Sequence, residues 1–285
     1  MQKNLNLTIM IKKIIHIGDL HIPNEPEGRH YDELIKKLVK DVLKEVKTCD
    51  DKSEARIVIA GDIYTGKIKS SNEAKGLFHE MLNLLNSICK VIVIAGNHDM
   101  LENNKSRMDS ITPTFEIKGV YKNVTYLDKA LGYKSGFCVD DNVVWVLYSM
   151  FDRYNVNGLE TIREQYPNHK IIGLYHGNVV GATTDTGYML DKGINTDLFS
   201  ECDCVMAGHI HKYQTIKKKG VPIVYSGSVF QQDTGENVSG HGFVVWDLDS
   251  MNHELHEVEN DYSTYKFEIT SYDDVSNDAE ILLNA

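Results

Sequence analysis

Polar side chains of the kinds that bind metals follow five apolar runs in this sequence, at the point where each run ends. They are carboxylates, imidazoles and one amide, and a glycine usually stands beside them. Carboxylate oxygen and imidazole nitrogen together are typical ligands of divalent transition metals. If the five run ends meet in space, the sequence therefore predicts a metal site. The five segments are Gly18-Asp19-Leu20-His21, Gly61-Asp62, Gly96-Asn97-His98-Asp99, His176-Gly177 and Gly208-His209-Ile210-His211.

Each segment alone also has a structural explanation. Gly-Asp after a strand is common turn chemistry, Asn-His-Asp can cap a helix, and His-x-His can be two solvated residues of an edge strand. Their joint occurrence favours a metal centre, because ligands of open α/β sheets bind outside the carboxyl ends of the strands. Glycine there lets the backbone turn sharply and approach a ligand closely. His16 lies within an apolar run and is expected to be a packed histidine.

The elements that must position these residues differ between the two halves of the chain. In the first half, apolar runs alternate with amphipathic segments, which predicts a βαβαβ unit with a parallel sheet. One helix is expected over residues 31–46, and a second is expected to begin at a capping box of Ser70 and Glu73 and to end at Ile88. Strands are predicted over residues 11–17, 57–60, 91–95, 143–149, 170–175, 204–207, 223–225, 243–248 and 254–258.

The second half is almost entirely strand-like, with one helical segment over residues 159–165, and is expected to form a second sheet. Two sheets with helices outside give an α/β fold, a four-layer α/β/β/α sandwich. The last residues predict a strand over 265–269 and a short helix over 278–283.

Composition limits the classes of function. Lys and Arg total 30 and Asp and Glu total 41, so the formal net charge is −11, which argues against a broadly basic nucleic-acid binder. A local basic groove and a bound cation that reverses the local field both stay open. No apolar run reaches 18 residues, so no membrane span is expected. The N-terminus lacks the features of a signal peptide, and five scattered cysteines indicate a reducing, intracellular and cytoplasmic setting.

The ordered set GDLH, GD, GNHD, HG and GHIH resembles the calcineurin-like metallophosphoesterases. The segments YSGSVFQQDTGE (225–236) and HGNVVGATTDTGY (176–188) are similar to SbcD-type nucleases, most of all to recombination-endonuclease subunits of large phages and related viral or bacterial proteins. The resemblance implies the four-layer fold and a centre of two divalent metal ions, often Mn²⁺. It implies a nuclease domain over residues 1–260, and a tail or the start of a minimal or truncated capping region over 261–285.

The resemblance further implies seven metal ligands in two groups that share one carboxylate. Asp62 would bridge both metals, because a carboxylate has two oxygens and can neutralise charge between two cations. The other ligands would be Asp19, His21 and His211 for the first metal, and Asn97, His176 and His209 for the second.

Other roles follow from the same resemblance. His98 would stabilise charge on the phosphate and protonate the leaving oxygen, and Asp99 would orient His98 through a hydrogen bond. The alternative for Asp99 is a helix cap. Arg153, Lys212 and Ser228 are candidate substrate contacts.

One departure from the cellular SbcD-like pattern lies after the bridging aspartate. Many of those nucleases carry a second histidine shortly after that residue, and this sequence has Thr65 near the expected position. The segment also lacks the GDxxDRG form of Ser/Thr protein phosphatases, which argues against a phosphoprotein substrate.

The favoured function is a Mn²⁺-dependent DNA nuclease with exonuclease or endonuclease activity. It would be the catalytic subunit of a DNA repair and recombination complex with an SbcC/Rad-type ABC ATPase. The alternatives are a stand-alone phosphodiesterase or phosphatase on small phosphoesters and, less favoured, a scaffold without catalysis. The two amphipathic helices could serve a homodimer, as in relatives, but packing on a sheet is preferred because both stripes are needed to cover it. A phage or virus origin agrees with the resemblance.

Overall fold

The computed structural model describes residues 10–116, 119–218 and 220–265, which form two six-stranded sheets with helices outside. The strands are β1 (Lys13–Ile17), β2 (Ala55–Ala60), β3 (Lys90–Ile94), β4 (Val124–Tyr126), β5 (Gly136–Asp140), β6 (Val143–Tyr148), β7 (Lys170–His176), β8 (Cys204–Gly208), β9 (Gln214–Lys218), β10 (Val221–Tyr225), β11 (Gly242–Asp247) and β12 (Asn252–Glu257). The helices are α1 (Tyr31–Val46), α2 (Asn72–Ile88), α3 (Leu127–Ala130) and α4 (Ile162–Gln165).

The first sheet has the strand order β12-β11-β1-β2-β3-β4. Strands β1 to β4 run parallel, and α1 and α2 make the first two crossovers, so the predicted βαβαβ unit is confirmed. Both helices bury their apolar stripes against one face of this sheet, as the packing interpretation expected. The predicted capping box is wrong by one residue. Ser71, not Ser70, caps α2, because its hydroxyl accepts the Ala74 N–H at 3.0 Å. The Ser70 hydroxyl instead donates to the Gly66 carbonyl.

The second sheet has the order β5-β6-β7-β8-β10-β9. The expectation that the second half forms only this sheet is wrong, because β11 pairs antiparallel with β1 and carries β12 into the first sheet. Alternating apolar residues indicate a strand but do not say which sheet it joins. Strands β4, β5 and β9 were not predicted. Each lies at or next to a sheet edge, where burial is incomplete and the apolar pattern is weak.

The predicted four-layer arrangement is confirmed, with an apolar core between the sheets that includes Trp145 and Trp246. The outer face of the second sheet is covered mainly by loops, because the helix predicted over residues 159–165 is the single turn α4. His16 is fully buried, and burial lowers the pKa of its imidazole to about 3, so it is a neutral packed side chain. No helix among the described residues is long and apolar enough to cross a bilayer. The strand predicted over 265–269, beyond its first residue, and the helix predicted over 278–283 lie outside the described residues.

A buried guanidinium ties the two sheets together at the end opposite the polar segments. Arg56, at the start of β2, is 2% exposed. Its Nε and Nη2 donate to the Asp140 carboxylate of β5 at 2.5 and 3.0 Å, and Nη2 also donates to Asp141 at 2.9 Å. Burial opposes ionisation of Asp140, but hydrogen bonds from Arg56 and Lys90 hold the pKa of its carboxyl at about 2.

Asp140→Asn is expected to lower the free energy of unfolding by about 3 kcal/mol at pH 7, because it leaves a buried guanidinium without its main counter-charge. The folded-state pKa lies below the usual 3.8, so this stabilisation is present above about pH 4 and is lost as the pH falls toward about 2. Urea unfolding at several pH values measures both effects. Asp141→Asn, with one bond to Arg56 and a 28% exposed side chain, is the matched control with a smaller loss. Equal losses in both variants would contradict this account.

Candidate metal centre

The five polar segments follow β1, β2, β3, β7 and β8, and the two sheets present these ends at one edge. Within each sheet the strands concerned run parallel, so their carboxyl ends point the same way. Two hydrogen bonds join the sheets there. His176 Nδ1 donates to the Ala60 carbonyl at 2.7 Å, and the His209 backbone N–H donates to the Asp19 carboxylate at 2.9 Å. The structure therefore brings together all seven side chains that the sequence proposed as ligands.

The first group of donors consists of Asp19, His21 and His211, whose ligand atoms lie within 4.8 Å of one another. The Nε2 atoms of His21 and His211 face each other at 3.0 Å. Two imidazole lone pairs at this distance repel unless a proton or a cation lies between them. This contact fits a metal ion, and metal binding at such a site displaces the proton.

The second group consists of Asp62, His176 and His209, again within 4.8 Å. The Asn97 amide oxygen lies beside two of these side chains. That oxygen lies 3.1 Å from His176 Nε2 and 2.6 Å from His209 Nδ1. Asp62 faces both groups: its Oδ2 is 3.5 Å from His21 Nε2, and its Oδ1 is 3.3 Å from His176 Nε2. The donor set of carboxylates, imidazoles and one amide fits two divalent cations that share Asp62.

The backbone is unusual at four of the seven proposed ligands. Asp19, His21, Asp62 and His209 have φ values of 49°, 44°, 52° and 100°. Residues other than glycine seldom adopt a positive φ. This backbone conformation costs roughly 1–3 kcal/mol per residue and tends to occur at functional sites. Gly96 is required by close packing, since a Cβ there would lie 2.1 Å from Asp62 Oδ1. The turns thus direct the proposed ligands toward one another at the ends of the strands, and this placement carries local backbone strain.

The electrostatics of the cluster are those of charged groups held away from water. Burial raises the pKa of the Asp19 carboxyl to about 6 and lowers the pKa of His21 to about 3 and of His209 to about 4. Burial also opposes protonation of His176, but the neighbouring Asp62 carboxylate raises its pKa to about 9. Two buried carboxylates enclosed by imidazoles form an environment whose negative charge divalent cations would balance.

Glu236 orients one of the proposed ligands, a role the sequence did not reveal. Its Oε1 accepts from His211 Nδ1 at 2.5 Å, which turns His211 Nε2 toward His21. Burial opposes protonation of His211, but this hydrogen bond raises its pKa to about 9. Gln232 N donates to Glu236 Oε2 at 2.8 Å and fixes the carboxylate in turn. The only available signal was the place of Glu236 at the end of the segment 225–236.

Glu236→Gln is expected to weaken Mn²⁺ affinity about 10–100-fold, because outer partners fix the orientation and basicity of a metal-binding histidine. Isothermal titration of metal-stripped protein with Mn²⁺ measures this. Asp233→Asn lies in the same loop, and its carboxylate accepts the Gly235 N–H instead of bonding to a proposed ligand among the described residues, so this matched control should bind like the wild type. Unchanged affinity in Glu236→Gln would show that the hydrogen bond does not position His211.

His98 lies beside the cluster, with its ring centroid 4.8 Å from that of His21. Its Nδ1 donates to the Thr65 carbonyl at 2.8 Å, which leaves Nε2 as the nitrogen available to a substrate. Thr65 is fixed in turn, because its N–H and hydroxyl donate to the Ile22 and His21 carbonyls. Thr65 thus orients His98 through its backbone carbonyl, an atom that no sequence pattern reports.

The prediction that Asp99 hydrogen-bonds to His98 is wrong. The Asp99 oxygens accept the Ile63 N–H at 3.0 Å and the Gly96 N–H at 2.9 Å. Asp99 is fully buried, and burial raises the pKa of its carboxyl well above the usual range. It holds the turns after β2 and β3 together, and the Thr65 carbonyl, not Asp99, is the hydrogen-bond partner of His98 Nδ1.

The three candidate substrate contacts differ. The prediction that Ser228 contacts substrate is wrong, because Ser228 is fully buried. Its hydroxyl lies 2.9 Å from His241 Nδ1, and its N–H donates to the His211 carbonyl. Lys212 is half-buried directly after His211, and Arg153 is exposed in the turn after β6. Both lie near this edge of the sheets, and their contact with substrate stays a prediction.

Comparison with known proteins agrees with this geometry. Residues 12–213 match the family model of the calcineurin-like phosphoesterases. An uncharacterised protein, R555, of Acanthamoeba polyphaga mimivirus is 35% identical over 258 residues, which cover 88% of this chain and 18% of R555. The SbcD component of the Bacillus subtilis nuclease SbcCD is 27% identical over 252 residues, which cover 76% of this chain and 61% of that protein. The chain therefore spans less than two thirds of either relative.

Among solved structures, GAP50, the anchor in the inner membrane complex of Plasmodium, superposes with a TM-score of 0.52. The match covers 87% of this chain and 89% of that one at 11% identity, and it shows a shared fold alone.

Proposed function

Because this chain belongs to the calcineurin-like phosphoesterase family, a group of metal-dependent hydrolases, we propose that its substrate is DNA and its metal is Mn²⁺. It would act as the nuclease subunit of a repair or recombination complex with an SbcC/Rad-type ABC ATPase. The observation that carries the hydrolytic part of the proposal is the placement of Asp62 between two complete donor groups. The name of the Bacillus subtilis relative, a nuclease subunit, supports a nucleic-acid substrate, and the resemblance of the segment 225–236 to SbcD-type nucleases supports DNA.

The side chains of this site divide the work of hydrolysis. The two donor groups would hold the metals, which when bound supply Lewis acidity and a hydroxide near neutral pH. Asp62 balances charge between the two positions. An imidazolium at His98 would keep its Nδ1–H on the Thr65 carbonyl and carry a second proton on Nε2. That proton would stabilise charge on the phosphate and pass to the leaving oxygen.

The experiment that tests the substrate compares DNA with a small diester in the same preparation. Metal-stripped protein receives Mn²⁺, Mg²⁺ or EDTA and acts on 5′-labelled single- and double-stranded DNA or on bis-p-nitrophenyl phosphate. Mn²⁺-dependent DNA cleavage is expected, and the product ladder gives the polarity and the balance of exonuclease and endonuclease activity. Hydrolysis of the small diester without cleavage of any DNA, with and without an added SbcC/Rad-type ATPase, would overturn the DNA assignment.

A further inference from the structure

A cavity lies between two loops that both start at the edge of the sheets where the proposed ligands lie. Strand β6 runs parallel to β7, so the turn of residues 149–154 lies at the edge where His176 emerges. The Tyr154 hydroxyl donates to the His176 carbonyl at 2.9 Å. The loop of residues 100–109 begins after Asp99 and ends beside it, because the Ser110 N–H donates to the Asp99 carbonyl at 2.8 Å. Both walls of the cavity are thus anchored on residues that shape the metal centre.

The cavity has a volume of about 390 Å³ and combines cations with apolar and aromatic groups. Lys105 and Arg107 line it, together with Met108, Tyr133 and Phe151. The Met108 side chain is 59% exposed, and the rings of Tyr133 and Phe151 meet edge to face at 4.9 Å. A volume of this size suits a small organic group.

The cations near the cavity are available to an anion. Lys105 donates to the Met150 carbonyl, and Arg107 and Arg153 are exposed. Two carboxylates outside the cavity lining, Glu102 and Asp152, act on Lys105 through their charge. Both are bonded to other groups: Glu102 pairs with Lys67 at 3.1 Å, and Asp152 accepts from the Ser135 N–H and hydroxyl. The acidic residues of the cavity lining are committed elsewhere: Asp109 accepts from the Ile111 and Thr112 N–H groups, and Glu116 pairs with Lys129 at 2.6 Å.

The opposite flank of the metal centre has the reverse charge. A second cleft of about 260 Å³, beside His209 and His211, is lined by Asp185, Asp233 and Glu236. A polyanion is repelled there and attracted to the side of Lys105, Arg107 and Arg153. In a protein of net charge −11, this difference between the two flanks favours approach of a polyanion from the side of the three cations.

We propose that the cavity of Lys105, Arg107 and Phe151 binds one nucleotide of the DNA strand next to the cleaved phosphate. The cations, with Arg153, contact backbone phosphate, and the base stacks on Phe151 and Met108. Stacking on aromatic side chains beside a positively charged track is the usual mode of single-strand binding. The inference rests on the proposed nuclease function and adds the side from which the strand enters.

The test measures binding of a fluorescein-labelled thymidine oligonucleotide by anisotropy in Mn²⁺, in a His98→Ala background, with a gel to verify that the probe stays intact. The double variant Arg107→Ala, Arg153→Ala is expected to raise Kd by about 10-fold or more, because each substitution removes a charged hydrogen bond to a backbone phosphate. The slope of log Kd against log salt should fall by about 1.4, because each single-strand phosphate contact contributes about 0.7. Lys36→Ala, an exposed lysine of α1, is the matched control with unchanged Kd and slope.

Phe151→Leu separates stacking from charge, because leucine keeps the apolar packing and removes the ring. It is expected to raise Kd for the thymidine oligonucleotide by about 5-fold or more without changing the salt slope. Binding of an abasic oligonucleotide should not respond to this substitution.

The outcomes distinguish the two proposals. If the wild type cleaves DNA but both sets of variants bind like Lys36→Ala, the cavity proposal is overturned and the nuclease function stands. If the wild type neither binds nor cleaves DNA, both are overturned. Loss of salt slope without an effect of Phe151→Leu would leave the basic track in place and overturn base binding in the cavity.

Discussion

Asp62→Asn is expected to reduce hydrolysis of bis-p-nitrophenyl phosphate by more than about 100-fold. Removing a side chain that only hydrogen-bonds to a metal ligand typically costs about 10–100-fold, and Asp62 is itself a proposed ligand. Asp62 is the one proposed ligand that faces both donor groups, with oxygens 3.5 Å from His21 Nε2 and 3.3 Å from His176 Nε2. Asparagine keeps one oxygen but loses the charge that balances two cations. Steady-state kinetics with Mn²⁺ measure the effect.

The control for this substitution is Asp247→Asn, a carboxylate of similar size at the exposed end of β11. Its activity should equal that of the wild type. A circular dichroism spectrum and an unfolding curve for Asp62→Asn establish that the variant is folded. A folded Asp62→Asn protein with wild-type activity would remove the basis for a shared carboxylate.

His98→Ala is expected to lower kcat for DNA by about 10²–10⁴-fold, the usual contribution of a positioned general acid. The loss for the small diester should be smaller, because p-nitrophenolate leaves without a proton and only the charge stabilisation by His98 is lost. The number of bound Mn²⁺ ions should stay unchanged, because His98 Nδ1 is bonded to Thr65 and the residue is not one of the seven proposed ligands. Unchanged stoichiometry with lost turnover separates this role from that of a ligand.

The matched control is His30→Ala, an exposed histidine whose ring stacks on Tyr262 away from the donor groups. If His98→Ala loses a metal ion along with activity, His98 is a ligand and its role as proton donor is wrong. The ring of His98 lies close enough to His21 and Asp62 for that result to be informative.

The sequence was most informative where several short patterns had to agree. The five strand ends were predicted because an apolar run followed by Gly and Asp, Asn or His is a local pattern, and parallel strands place such ends together. The partners of those side chains were not predictable in the same way. The Asp99 carboxylate is as near in sequence to His98 as a residue can be, yet the fold aims it at the Ile63 and Gly96 N–H groups.

The misplaced features share a physical cause, which is that they depend on distant contacts. The Thr65 carbonyl orients His98 regardless of side-chain type, so no residue pattern marks it. Ser228 resembles a substrate contact when its motif is read alone, but it is enclosed beside His241. Strand β11 has the same apolar pattern as its neighbours in the chain, and only pairing with β1 places it in the first sheet.

The centre of two cations is the claim on which the other proposals depend. Equilibrium dialysis of metal-stripped protein against Mn²⁺, followed by metal analysis, tests it most directly. Two Mn²⁺ ions per wild-type chain are expected, with loss of stoichiometric binding in Asp62→Asn. A wild-type chain that binds no Mn²⁺, or binds a single ion regardless of Asp62, would contradict the account.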